Sequence, residues 1–178
     1  MRKVLFILGE LADEDLNWIL EAGRSIRVEG GESIIVQGDV ITDLFIIADG
    51  GFSVIVSGHE VARLGSGEVV GDMSLLDSRP PSATITALES SQVFAVPHSL
   101  LRRKLAEDDG FAARFYRALC IFLADRLGRT TAVVARSGVN LPADPGDDAE
   151  LSPELLDNVS LAGARFEWFL ERLQGARR

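Results

Sequence analysis

The sequence predicts a mainly β protein, a jelly roll or barrel, with helices flanking it on both sides. Three observations carry that expectation. Between Arg24 and Val96 the apolar residues fall in short β-branched runs separated by glycines, a spacing that suits antiparallel roll or barrel folds better than a parallel sheet. Eleven of the 17 glycines lie between Gly9 and Gly71, where they supply the backbone angles that tight turns need. Before and after this stretch the apolar period lengthens to three and four residues, which is helical.

Taken in order, Asp13 can cap a short amphipathic helix carrying Leu16, Ile19 and Leu20, with Trp18 alongside. Strands are expected over 33–36, 44–48, 52–56, 60–64, 83–87 and 92–96. Turn residues sit between them: Gly30 with Gly31, Gly38 with Asp39, Asp49 with Gly50 and Gly51, Ser57 with Gly58, and Gly65 with Gly67. After Val96 the helical period returns. Ser99 can cap a helix reaching Glu107, and Asp109 or Gly110 opens a long one over 111–136. On it Phe115, Leu119, Phe122, Leu123, Arg126, Leu127, Val133 and Val134 recur at helical spacing.

Residues 137–152 hold prolines, glycines and four acids, the composition of a mobile linker. Ser152 and Pro153 then start a last helix. Its stripe is Leu155, Leu156, Val159, Ala162, Phe166, Phe169, Leu170 and Leu173, and Arg172, Arg177 and Arg178 suit a helix C-terminus. The expected division is therefore 1–136 as one domain with its long helix, 137–152 as linker, and 153–178 as a terminal amphipathic helix. No internal repeat is present.

Composition narrows the function. A chain of 178 residues with 47% apolar content can bury a sizeable core. Its longest apolar runs fall far short of the roughly 20 residues that span a bilayer. Met1-Arg2-Lys3 before Val4 to Leu8 resembles the start of a signal peptide, but Gly9-Glu10 breaks the run, so a soluble cytoplasmic protein is expected. The single cysteine, Cys120, excludes an internal disulfide, and its apolar surroundings on the long helix read as those of a packed thiol. A net charge of −9 argues against nucleic-acid binding, and Arg102-Arg103-Lys104 reads as a solvated helix face. His59 and His98 are the only histidines and form no metal motif. With no P-loop, Gly-x-Ser-x-Gly elbow or Cys–His pair, no enzyme is expected.

The most informative segment is 71–87, GDMSLLDSRPPSATITA. It reads as a helical turn on a glycine, a Pro-rich bend, and a strand re-entering with Ser-Ala-Thr. This resembles the phosphate-binding cassette of cyclic-nucleotide-binding domains, the effector modules of catabolite-activator-type regulators, cyclic-nucleotide-dependent kinases and gated channels. The family pattern is G-E-x-x-L-L, a few variable residues, then P-R-[ST]-A-[TS]. Two outlying stretches agree: Gly31 to Asp39 is similar to the family's G-E-x-I-I-x-x-G-D turn, and Leu44 to Gly50 to its L-[FY]-x-I-x-x-G strand end. The element order matches from about Leu8 to Arg129.

The resemblance implies a double-stranded β-helix with a long C-terminal helix, and a pocket for cyclic AMP or cyclic GMP, with no cofactor required. Carried over by position, Gly71, Met73 and Ser74 form the cradle, and Ser82 and Ala83 provide the backbone approach. Asp72 stands where the family's ribose-binding Glu is expected, and Pro81 where its phosphate-binding Arg is expected. Arg79, two residues earlier, is a candidate substitute for that Arg. The resemblance also implies a homodimer through residues 111–136, with Phe111, Phe115 and Leu119 nearest a lid that closes on ligand. After Arg136 only 42 residues remain and their first half is acidic, so no DNA-binding domain of the catabolite-activator kind is expected. Two functions stay open. One is a sensor that binds a cyclic nucleotide weakly, or another small ligand, and signals by helix rearrangement. The other is a ligand-free dimeric interaction protein whose 153–173 helix docks a partner, unless that helix folds back on its own domain.

Overall fold

The computed structural model describes residues 4–77, 79–136 and 153–175. The expected linker at 137–152 lies outside them, as do Arg177 and Arg178 and the side chains of Phe122, Arg126, Leu127, Val133, Val134, Leu155, Leu156 and Val159.

Two four-stranded antiparallel sheets make the roll. The first runs β1 (Arg24–Val28), β8 (Ser91–Pro97), β3 (Asp43–Asp49), β6 (Val69–Val70), and the second runs β2 (Ser33–Ile35), β7 (Thr84–Ala87), β4 (Gly51–Val56), β5 (His59–Gly65). The six expected strands are present within a residue or so of their bounds. β1 and β6 were not foreseen. Each carries too little apolar pattern to stand alone, and each is held by a neighbour, Ile26 opposite Val93 and Val70 opposite Phe45.

Period-two alternation puts the central strands to use on both faces. Phe45, Ile47, Val93 and Ala95 point into the roll and meet Phe52, Ile85 and Ala87 of the opposite sheet. Leu44, Ile46, Phe94 and Val96 point outward, yet they are equally buried, because helices cover that face. The β4–β5 hairpin turns at Ser57 and Gly58, both with positive φ, the geometry of a two-residue type I′ turn.

Six helices complete the described residues: α1 (Val4–Glu10), α2 (Asp13–Ala22), α3 (Asp72–Asp77), α4 (His98–Glu107), α5 (Asp109–Arg136) and α6 (Pro153–Gly175). α1 is a helix where the sequence suggested a leader-like run. Its Ile7 and Leu8 are buried because α5 and α6 both pack against it. Helix starts differ slightly from expectation. Ala12, not Asp13, precedes α2, and its N–H donates to Asp15 Oδ2 at 2.8 Å. α4 begins at His98, one residue before Ser99. Asp108 caps α5 by accepting from the Phe111 N–H at 2.9 Å, and α6 opens at Pro153 as expected.

The apolar face of α5 at Phe111, Phe115, Ala118 and Leu119 is buried within the chain, against Trp18 and the N-terminal helices. The stripe of α6 also folds back. Phe166, Phe169 and Leu173 join the core, and Phe169 meets Phe94 edge to face with ring centres 5.1 Å apart. Cys120 is exposed rather than packed, because helical geometry turns it away from the face that Ala118 and Leu119 bury.

Candidate functional site

β6 ends at Val70, and Gly71 alone separates it from α3. Gly71 has φ of +92°, and a Cβ there would lie 2.7 Å from the Asp43 carbonyl oxygen. Both facts demand glycine at this turn. The turn aims the chain across the mouth of the roll, and the 79–83 bend closes back toward the strand at Thr84. Ser74 Oγ donates to the Arg79 carbonyl at 2.8 Å, tying the helical turn to the bend. The Gly38 N–H donates to the Pro81 carbonyl at 3.0 Å, tying the bend to the roll.

Between cassette and roll lies a cavity of about 290 Å³. Its cassette wall is Gly71, Asp72, Met73, Ser74, Pro81, Ser82 and Ala83. Its other walls are strand residues, chiefly Ile35, Val54, Leu64, Val69, Val70 and Ile85, with Ile41 from the loop before β3. Val61, Met73 and Ser82 are exposed and form the rim. Seven of the eight residues singled out in the sequence are therefore brought together.

Arg79 is the exception. Its side chain is 81% exposed and paired with Asp77 next to it, and it does not line the cavity. The Arg79 backbone N–H, then its guanidinium, hold the Asp77 carboxyl below its ordinary range. Arg79 thus serves a local turn rather than standing in for the missing arginine. Among the described residues lining the cavity there is no Lys, Arg or His, and Asp72 is the one ionisable side chain.

Two residues behind the cassette were missed in the sequence. Arg102 on α4 donates through Nη2 to the Ser74 carbonyl at 3.0 Å, with the Leu75 carbonyl at 3.4 Å. The basic triplet is thus only partly a solvated face. Lys104 also has a partner, Asp108 Oδ2 at 2.7 Å, and lies over the rings of Trp18 and Phe111. His98 is buried beneath Gly71. Burial first, then the charge of Arg102, push its pKa below the ordinary value, while the Asp43 carboxyl and the Gly71 backbone push the other way. Neither ring nitrogen has a hydrogen bond of good geometry. A sequence signal existed for both: they follow directly on the last strand, where α4 must cross behind the cassette.

The described residues contain no group of three or more His, Cys, Asp or Glu able to hold a metal, and no helix among them is long and apolar enough to cross a membrane.

Comparison with known proteins agrees with this geometry. The family model described as cyclic nucleotide-binding domain matches residues 25–108. The chain is 26% identical over 102 residues to a cAMP-dependent protein kinase regulatory subunit of Yarrowia lipolytica, covering 57% of this chain and 27% of that one. It spans about a third or less of the length of the curated relatives it matches first. Among solved structures, a cyclic nucleotide-binding domain from Methylobacillus flagellatus superposes with a TM-score of 0.69 at 19% identity, over 79% of this chain and 84% of that one, a likeness of fold. The N-terminal domain of a transcriptional regulator from Streptomyces coelicolor gives 0.58 at 27% identity, over 75% and 95% respectively. Residues 25–108, in a jelly roll that keeps its cassette, match the cyclic nucleotide-binding domain family, and the solved structures share that fold.

Proposed function

We propose that this protein is a non-enzymatic, cytoplasmic regulatory module whose cavity takes a small ligand and whose helices report its presence. The ligand is a cyclic nucleotide held weakly, or another small molecule of similar size. One observation carries the reading: the cavity wall formed by α3 is tied through Arg102 to α4, which runs into α5. A ligand that moves α3 changes the Ser74–Arg102 contact, and through it the balance between helix arrangements, to the extent that it binds one arrangement better.

Weak binding of a cyclic nucleotide follows from Pro81. A charge-assisted hydrogen bond to phosphate contributes roughly 1.5–3 kcal/mol, so its loss lowers affinity about ten- to a hundredfold. Proline also lacks the N–H that another residue would offer. Calorimetry with cyclic AMP and cyclic GMP on the wild type and on Pro81→Arg tests the nucleotide form of this reading. The variant should bind at least about tenfold more tightly. No heat from either nucleotide, even with the arginine restored, defeats that form.

The ligand-free dimer is the weaker reading, since the expected dimer face at Phe111, Phe115 and Leu119 is already buried. A dimer along 111–136 has to use other positions of α5. Light scattering over a dilution series decides, and a monomer at every concentration removes the dimer.

A further inference from the structure

We infer that the occupant of the cavity is an uncharged, mostly apolar small molecule rather than an anion. The inference rests on the sensor reading above and specifies its ligand. It starts from the walls. Ile35, Val54, Val69, Val70 and Ile85 line the roll side of the space with hydrocarbon, and a ligand that fills it displaces water from them. An anion placed there loses its hydration and needs a fixed cation or several aimed donors in return.

The cavity walls supply no fixed cation. Among the described residues lining the cavity none is basic, and the one ionisable group, Asp72, is an acid that is itself 3% exposed. Arg79 pairs with Asp77 at the surface, and Arg102 donates to backbone carbonyls of α3. Pro81 brings no N–H to the wall.

The rim supports the same class. Val61 is 60% exposed and Met73 is 49% exposed, one on each side of the opening. Large apolar side chains held in water at the mouth of an apolar cavity suit a ligand that covers them when bound.

The test uses two fluorescent probes with one aromatic body, N-phenylnaphthylamine, which is uncharged, and anilinonaphthalene sulfonate, which carries a fixed negative charge. Cyclic AMP is the competitor. The wild type should bind the uncharged amine saturably at one site, bind the sulfonate at least roughly tenfold more weakly, and release little amine to cyclic AMP. Val61→Glu, at the exposed rim, should weaken the amine without disturbing the core, and Val54→Trp should exclude it. Pro81→Arg should narrow the gap between the two probes. Sulfonate or cyclic AMP binding as tightly as the amine overturns the inference and leaves the sensor reading standing. Amine binding unchanged by both Val61→Glu and Val54→Trp places it elsewhere and also overturns the inference. No saturable binding of any of the three overturns the inference and the sensor reading together.

Discussion

Arg165, on the last helix, donates through Nη1 to the carbonyl of Leu8, on the first, at 2.8 Å. The same nitrogen reaches the Leu11 carbonyl at 2.8 Å, and Nη2 reaches Asp13 Oδ1 at 2.7 Å. The carbonyls at a helix C-terminus lack intrahelical partners and carry partial negative charge. A guanidinium brought from 157 residues away satisfies them at the junction of α1 and α2. The terminal helix is thus a structural part of the domain rather than an appendage.

Arg165→Met keeps the apolar stem and removes the donors. It should lower stability by about 2 kcal/mol, the range for hydrogen bonds involving a charged group. Urea unfolding measures it, and Arg165→Lys should recover part of the loss. An unchanged midpoint means that the junction does not depend on this contact.

Phe169 is fully buried against Phe94. Phe169→Ala should cost roughly 3–5 kcal/mol, whereas Leu161→Ala on the exposed side of the same helix should cost little. Removing residues 151–178 should cause aggregation, because Phe94, Ile7 and Leu8 lose their cover. A soluble, equally stable truncation contradicts the packing of α6.

Gly71→Ala combines a positive φ with a Cβ 2.7 Å from the Asp43 carbonyl oxygen. The strain should cost about 1–3 kcal/mol. Ligand binding should fall further than stability does, because the turn that places α3 shifts. Paired melting and probe titrations separate the two, and wild-type behaviour in both defeats the account of the cassette turn.

His98 makes stability sensitive to pH. Its folded pKa lies below the ordinary value of 6.5, so between the two values the unfolded chain binds more protons than the folded one. Stability therefore rises with pH through that window, is fully present above the ordinary value, and is lost as pH falls toward the folded pKa. Urea midpoints taken from about pH 7.5 down to about pH 5.5 should fall more for the wild type than for His98→Gln. Parallel curves for the two proteins sink the assignment to His98.

Much of the roll could be read in the chain because its causes are local. Alternating apolar residues between glycines at Phe52, Ile85 and Val93 state both strand and inward face. The cassette was legible for the same reason, since its seven cavity-lining residues are neighbours in sequence. The pairing of Arg79 with Asp77 was not legible, because it is set by the bend's conformation, which no spacing rule reveals. α1 was missed because a helix buried on several sides looks like any apolar run.

The sequence by itself determined the fold family, the strands, the cassette turn at Gly71 and the absence of arginine at Pro81. These follow from side-chain period, backbone permission and residue identity, all carried within a few positions. Only the tertiary structure decided that Phe111, Phe115 and Leu119 of α5 and Phe166, Phe169 and Leu173 of α6 are buried within the chain, that Arg165 and Arg102 bridge distant carbonyls, and that the cavity's described lining has no basic residue. Those are outcomes of chain closure, in which residues far apart compete for the same apolar surface and the same unpaired backbone groups.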